Sequence, residues 1–158
     1  MGIDTHIKFD GVDGESQHKD HKGEIELLKW RWMVSNDSAV MGGGSGKGKA
    51  EPGKFSVWHN YDKSSPVLAK RCADGKHFPT VTLTARKSGE GQKDFLKITF
   101  KEVFINKVET EADPEAGIVE LVVFSYGDME KEYKAQDDKG NPGGAVKFGW
   151  NVKTSEFR

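Results

Sequence analysis

Residues 77–87 read HFPTVTLTARK, and this stretch decides the fold class. Val81, Leu83 and Ala85 fall at every second position, and threonines occupy the positions around them. Successive side chains of a β-strand point to opposite faces, so this alternation places the apolar residues on one face and the threonines on the other. The density of β-branched residues also favours a strand. The stretch therefore predicts an extended strand with one buried face.

The same two-residue period recurs along most of the chain. Within residues 94–108, apolar side chains alternate up to Phe100 and then change parity at Val103, as happens at a β-bulge. Residues 24–35 carry apolar side chains on both faces, so we expect a strand that is covered on both sides. Further strands are predicted at residues 3–9, 54–60, 118–126, 129–136 and 145–152.

One segment breaks this period. Residues 64–75 read SSPVLAKRCADG, with Ser65 as the expected N-cap, Pro66 in the first helical position and Gly75 as the stop. Leu68 is expected to face inward from this short helix. Many short strands, glycine turns and one helix predict an all-β fold, mainly β with one short α-helix. We expect an antiparallel two-sheet β-barrel or sandwich.

Composition limits the class of protein. A chain of 158 residues is the size of one domain, so we expect a single β-barrel domain over residues 1–158. Its net charge of −1 gives no electrostatic support for nucleic-acid binding. No apolar run approaches the roughly 20 residues of a membrane span, and no signal peptide is expected at the N-terminus. Cys72 is the only cysteine, and we expect it to act as a small core residue.

The most unusual segment is residues 40–53, VMGGGSGKGKAEPG. It approaches the phosphate-binding pattern GxxxxGK[ST], but Ala50 stands where that pattern needs a hydroxyl to bind magnesium. Pro52 follows closely, so no helix is expected to begin there and complete a phosphate cradle. We interpret the segment as a solvated, adaptable loop and expect no cofactor.

Three potential metal ligands, His18, Asp20 and His21, lie close together in the segment SQHKDHKG. The segment is polar and no fourth ligand is signalled nearby, so we interpret it as a solvated loop and expect no metal site. If the three ligands did converge, a metal-dependent enzyme would be an alternative. His59 and His77 are expected to be packed or surface imidazoles. No nucleophile motif with a matching base occurs, so we expect no catalytic residue and no enzymatic activity.

The tryptophans offer another alternative. Trp30, Trp32, Trp58 and Trp150 lie on predicted strand faces, where we expect them to fill the core. If their rings were instead exposed together, they would form a stacking platform for a carbohydrate or a nucleic acid. The chain would then be a monomeric β-barrel ligand-binding module.

Several blocks of the chain together resemble Hcp, the haemolysin-coregulated protein family of bacterial type VI secretion systems. The resemblance extends over essentially the whole length. Its most specific part combines the glycine-lysine loop, the following strand, the SSP helix and the TxTxRK strand. The blocks that carry it are residues 7–16, 21–32, 42–89, 95–105 and 149–154.

The resemblance implies a structural subunit of the secretion system's inner tube. Six copies would form a ring, rings would stack inside a contractile sheath, and effector proteins would travel in the lumen. The tube would leave the bacterial cytoplasm with a spike protein at its tip, without a signal peptide, membrane insertion or nucleic acid. In the family the glycine-lysine loop reaches neighbouring subunits and rings. The docking residues that the resemblance implies are Gly42, Gly43, Gly44, Lys47 and Lys49.

Overall fold

The computed structural model describes residues 2–37 and 50–158. It is mainly antiparallel β-structure with one α-helix in this part of the chain, so the predicted fold class is confirmed. The elements are β1 (Ile3–Phe9), β2 (Ile25–Glu26), β3 (Lys29–Arg31), β4 (Val34–Asn36), β5 (Ala50–Pro52), β6 (Phe55–Asn60), α1 (Ser65–Asp74), β7 (Phe78–Lys87), β8 (Asp94–Asp113), β9 (Gly117–Gln136), β10 (Pro142–Asn151) and β11 (Glu156–Phe157).

Most strands belong to one sheet with the order β11-β10-β9-β8-β7-β1-β2. Strand β9 has two partners along its other edge, because its first half pairs with β6 and its second half with β10. Strand β3 extends the sheet beyond β6, and β4 pairs with β5 as a separate hairpin. The sheet folds over itself as a sandwich, and its strand ladder does not close into a barrel.

The prediction of a single strand over residues 24–35 is wrong. The segment forms three short strands, because it changes partner twice, from β1 to β6 and then to β5. The first change of partner, from β1 to β6, takes place between two adjacent residues, Leu27 and Leu28. The Leu27 N–H donates to the Thr5 carbonyl on β1 at 2.9 Å, and the Leu28 N–H donates to the Trp58 carbonyl on β6 at 2.8 Å. Apolar residues at both parities reflect this exchange of partners.

The core lies between the two layers and is rich in phenylalanine. The ring of Phe124 on β9 lies 5.8 Å from that of Phe9, 5.4 Å from that of Phe55 and 5.0 Å from that of Phe100. All four side chains are fully buried. They come from β9, β1, β6 and β8, so their contacts hold distant parts of the chain together. Burying each one contributes roughly 1.5–3 kcal/mol.

The predicted parity change in β8 is confirmed, since Phe100 and Val103 are both buried. Between them, Glu102 adopts a positive φ of 53°. The pairing register places Gly127 of β9 opposite this residue, so both strands change face at the same point. The shift in register falls slightly later, between residues 105 and 107.

Strands β8 and β9 are longer than the sequence predicts. The two strands expected on either side of residues 127–128 form one continuous strand. The expected turn-rich connection over residues 109–117 is mostly strand, because β8 continues to Asp113 and pairs with β9 up to that point. The acidic residues of this segment therefore lie on the exposed end of β8 and on the turn that follows it.

Helix α1 lies close to its predicted position. Its N-cap is Ser64, one residue before the expected Ser65. It ends at Gly75, which has a φ of 72° and whose N–H donates to the Arg71 carbonyl at 3.0 Å. Leu68 is fully buried, as predicted. Within the described part of the chain, no helix has the length and apolar character needed to cross a membrane.

Candidate assembly surface

The docking residues implied by the resemblance lie outside the described part of the structure. The two strands that flank the loop are described, and β4 pairs with β5 in antiparallel register. We call these two strands the loop stem. Most side chains of the stem are exposed, so a partner could reach them. The residues outside the described ranges are Gly42, Gly43, Gly44, Lys47 and Lys49.

A chain of hydrogen bonds fixes the stem to the sheet. The Trp32 indole N–H donates to the Tyr126 hydroxyl at 2.7 Å, and that hydroxyl donates to the Gly53 carbonyl at 2.8 Å. The Gly53 N–H donates to the Met33 carbonyl at 2.9 Å. Tyr126 is buried, and burial raises the pKa of its hydroxyl, which therefore keeps its proton. Tyr126 of β9 thus contacts the base of both strands of the stem, at Trp32 before β4 and at Gly53 after β5.

Gly53 is required by close backbone packing at this anchor. A Cβ atom at this position would overlap the Met33 carbonyl oxygen. In the sequence, Pro52-Gly53 indicates only a turn. The structure shows that the glycine also allows the two strands to meet at the base of the loop.

Lys131 packs beside the anchor. Its Nζ lies 3.4 Å from the centroid of the Trp32 ring, which makes a cation–π contact. Its register neighbours are Ile98 on β8 and Phe148 on β10, both apolar. Burial lowers the pKa of Lys131 to about 8. No ion pair joins Lys131 to a carboxylate in residues 2–37 and 50–158.

Beyond Lys131, the same face of β9 and β10 carries large apolar side chains that are exposed to solvent. Tyr133 and Val146 are register partners on β9 and β10 and are 48% and 71% exposed. Phe157 is also exposed, and its ring stacks on that of Phe148 with 6.4 Å between centroids. We call Lys131, Tyr133, Val146, Phe148 and Phe157 the open face.

A second exposed surface lies where β2 passes into β3. It is an open cleft of about 290 Å³. Leu28 and Tyr61 supply exposed apolar surface, and no lysine or arginine is among the lining residues. Three carboxylates, Glu15, Glu26 and Asp62, also line it. We call this cleft the acidic groove.

The segment SQHKDHKG is a loop with exposed polar residues, as the sequence suggested, but His21 departs from that prediction. His21 is buried, with its Nδ1 3.0 Å from a Glu24 carboxylate oxygen and its Nε2 3.1 Å from a carboxylate oxygen of Asp94. The ring of His6 stacks on His21 with 4.8 Å between centroids, and the ring of His18 lies 5.4 Å from that of His6. The prediction is wrong for His21 because its partners on β1 and β8 are distant in sequence.

Arg86 of β7 completes this cluster. Its Nε donates to Asp94 and its Nη1 to Asp20, each at 2.8 Å. The hydrogen bond from Arg86 lowers the pKa of Asp20. Burial would raise the pKa of Asp94, but hydrogen bonds from Arg86 and His21 outweigh it and lower that pKa. The ion pairs of Arg86 with Asp20 and Asp94 hold the cluster together. The described residues contain no group of three or more His, Cys, Asp or Glu side chains placed to hold a metal ion.

Three of the four tryptophans take the core role expected of them, and Trp58 does not. Trp150 is buried, and Trp30 and Trp32 pack against the hydrophobic core. Trp58 is half-buried beneath Lys29, whose Nζ lies 4.6 Å from the centroid of the indole ring. None of the four rings is fully exposed, whereas a stacking platform needs open ring faces.

His59, His77 and Cys72 make packing or hydrogen-bond contacts within the fold. His59 is buried, and its Nε2 lies 2.9 Å from a carboxylate oxygen of the buried Glu120. Sequence reasoning missed Glu120 because it lies on a different strand. His77 is exposed and packs edge-on against Phe104. Cys72 is half-buried against the core, close to its expected role.

Comparison with known proteins decides the family. Residues 6–133 match the family described as type VI secretion system effector, Hcp. The chain belongs to the Hcp family. It is 40% identical over 157 residues to protein hcp1 of Pseudomonas aeruginosa, covering 97% of each chain.

Solved Hcp-like structures share the fold over their whole length. A type six secretion system protein superposes with a TM-score of 0.93 at 30% identity, covering 99% of this chain and 100% of the other. Hcp1 from Salmonella typhimurium superposes with a TM-score of 0.83 at 34% identity, covering 100% of both chains. The Hcp family match includes the loop anchor and the histidine cluster. It ends at residue 133, before the part of the open face that lies on β10 and β11.

Proposed function

We propose that this Hcp-family chain is a non-enzymatic structural subunit of the type VI secretion inner tube. Six copies form a ring, and rings stack into a tube inside the contractile sheath. The tube leaves the bacterial cytoplasm with the spike protein, enters the medium or a target cell, and carries effector proteins in its lumen. The observation that carries the proposal is the 40% identity to hcp1 over 97% of the chain.

The loop between β4 and β5 docks onto neighbouring copies in this proposal. Gly42, Gly43 and Gly44 let the backbone adapt to a partner, while Lys47 and Lys49 meet acidic surfaces. The anchored stem supports this role. Its base is already ordered by the bond chain through Tyr126, so binding does not have to order it.

Weak contacts repeated along a tube suit a structure that assembles, is expelled and disperses. Linked binding events raise overall affinity without any strong single contact. A net charge of −1 limits self-repulsion when many copies come together. The exposed apolar side chains of the open face and the acidic groove provide surface for such contacts.

Negative-stain electron microscopy of the purified protein tests this function. We expect rings with six-fold symmetry, and light scattering after size-exclusion chromatography should give the mass of six chains. A protein that stays monomeric at tens of micromolar contradicts the proposal.

The docking role of the loop has its own test. Replacing residues 42–49 with a short rigid turn should preserve the fold and the rings but impair stacking and secretion. Lys47→Ser combined with Lys49→Ser keeps the loop length and separates the contribution of charge from that of flexibility. Normal secretion by the shortened variant contradicts the docking role.

A further inference from the structure

The open face is a part of the core-facing sheet surface that the second layer leaves uncovered. Met129 and Trp150 are register partners and are 0% and 3% exposed. Four residues further along the same two strands, Tyr133 and Val146 are 48% and 71% exposed. Residues separated by an even number of positions lie on the same face of a strand. The sheet face that is buried in the core at Met129 and Trp150 is therefore exposed, and still apolar, at Tyr133 and Val146.

Lys131 lies between the covered and uncovered parts of this surface, and residues 2–37 and 50–158 supply no counter-ion for it. Its neighbours across the sheet are apolar, and its Nζ contacts the ring of Trp32 and makes no hydrogen bond or ion pair with the described residues. Glu130 and Glu132 alternate with Lys131 along β9 and so lie on the opposite face. Removing a cation from water costs free energy unless it is paired. A carboxylate with apolar neighbours would therefore complete the open face.

Strand β10 also has an unpaired edge beside the open face. In the described part of the chain, β11 pairs only with Trp150 and Asn151 of β10, so no strand covers residues 142–147. Unpaired backbone groups along such an edge favour pairing with another chain. The edge and the open face together indicate an interaction surface.

The acidic groove combines carboxylates with exposed apolar side chains, which is the combination that would complement the open face. Leu28 and Tyr61 are 56% and 44% exposed, and they flank the carboxylates. Glu15 and Asp62 already accept hydrogen bonds from backbone N–H groups. Glu26 is exposed and has no ion-pair partner in the described residues. Among the described residues, a carboxylate without an ion-pair partner thus lies beside exposed apolar side chains, on the same chain that carries a lysine without one.

We propose that the open face of one copy docks on the acidic groove of a second copy, so that Lys131 pairs with Glu26. The two surfaces consist of different residues, so the contact is head-to-tail, and such contacts close into a ring when the rotation between copies permits. The inference rests on the proposed self-assembly and adds which two surfaces meet. The charge and the apolar area of the two surfaces are complementary.

Exchanging the two charges tests the pairing. Lys131→Glu and Glu26→Lys each bring like charges together. Each single variant should therefore exchange subunits between fluorescently labelled rings at least about tenfold faster than the wild type, or fail to assemble. The double variant, Lys131→Glu with Glu26→Lys, restores opposite charges and should recover most of the loss.

Two further variants guard against loss of folding. Val146→Asp changes a side chain that is 71% exposed, so it should weaken assembly while the circular dichroism spectrum of the folded chain stays unchanged. Lys97→Glu is the matched control, because Lys97 is exposed on the opposite face of the same sheet and should leave exchange unaltered. If Lys131→Glu does not fold, Glu26→Lys and Val146→Asp test the two surfaces.

The outcomes separate this inference from the proposed function. Wild-type exchange rates in the single variants overturn the docking assignment, and a double variant as defective as the single variants overturns the Lys131–Glu26 pairing. In both cases the wild type still forms rings, and the proposed function stands. A monomeric wild type overturns the proposed function itself.

Discussion

Mild acid should weaken this fold through His6, which lies uncharged inside the histidine cluster. The side chain is 2% exposed and stacks on His21. Burial, together with His21 and His18, lowers the pKa of His6 from 6.5 to about 4, and Arg86 acts in the same direction. Asp4 acts in the opposite direction but is outweighed. Protonating His6 therefore costs free energy in the folded state that the unfolded chain avoids.

The magnitude follows from the two pKa values of His6. Between pH 4 and 6.5, the unfolded chain binds a proton that the folded chain does not, so stability rises with pH. Moving from pH 7 to pH 5 should lower the free energy of unfolding by about 2 kcal/mol through this residue. Asp20 and Asp94 have lowered pKa values, so the stability they contribute is lost only at lower pH.

Urea unfolding followed by tryptophan fluorescence at the two pH values measures this effect. All proteins are compared at one concentration, because assembly makes stability depend on concentration. His6→Gln removes the titrating group, so its loss between pH 7 and pH 5 should be about 2 kcal/mol smaller than that of the wild type. His77→Gln is the matched control, because it makes the same substitution at an exposed histidine outside the cluster. Equal losses in the wild type and His6→Gln would refute the reasoning.

Other predictions concern the anchor and the core. Gly53→Ala should lower the free energy of unfolding by about 1–3 kcal/mol, because the added methyl group meets a backbone carbonyl oxygen. Gly144→Ala, which meets nothing within 4 Å, should be neutral in the same urea titration. Tyr126→Phe should cost about 1–3 kcal/mol in thermal unfolding, since it leaves the Trp32 N–H without its acceptor; an unchanged stability contradicts the anchor. Phe124→Ala should cost about 3–5 kcal/mol by the same measurement, and a loss below 1 kcal/mol argues against the central position of this ring.

Elements that depend on local pattern were predictable. The alternation in β7, the helix signals around Pro66 and the parity change at Val103 all appear in the structure. The predictions fail where the bounds of a strand depend on which other strands it pairs with. Residues 24–35 exchange partners, and β9 continues through Gly127 because Glu102 lies opposite and changes face with it. Periodicity along one strand carries no information about such pairing.

The anchor and the histidine cluster could not be read from the sequence. Trp32 and Tyr126 are 94 residues apart, and His21 and Asp94 are 73 residues apart. Residue type and parity indicate which face of a strand a side chain occupies. They do not indicate which side chain of another strand it meets.

The sequence by itself determined most of the strands, the helix and the family, because these depend on residue order and short-range periodicity. Only the tertiary structure decided which charged groups lose contact with water and which apolar surfaces stay open. Strands that lie far away along the chain bury His6 and half-bury Lys131, whereas Val146 is exposed because the second layer does not reach it. Such differences in solvation arise from packing in three dimensions.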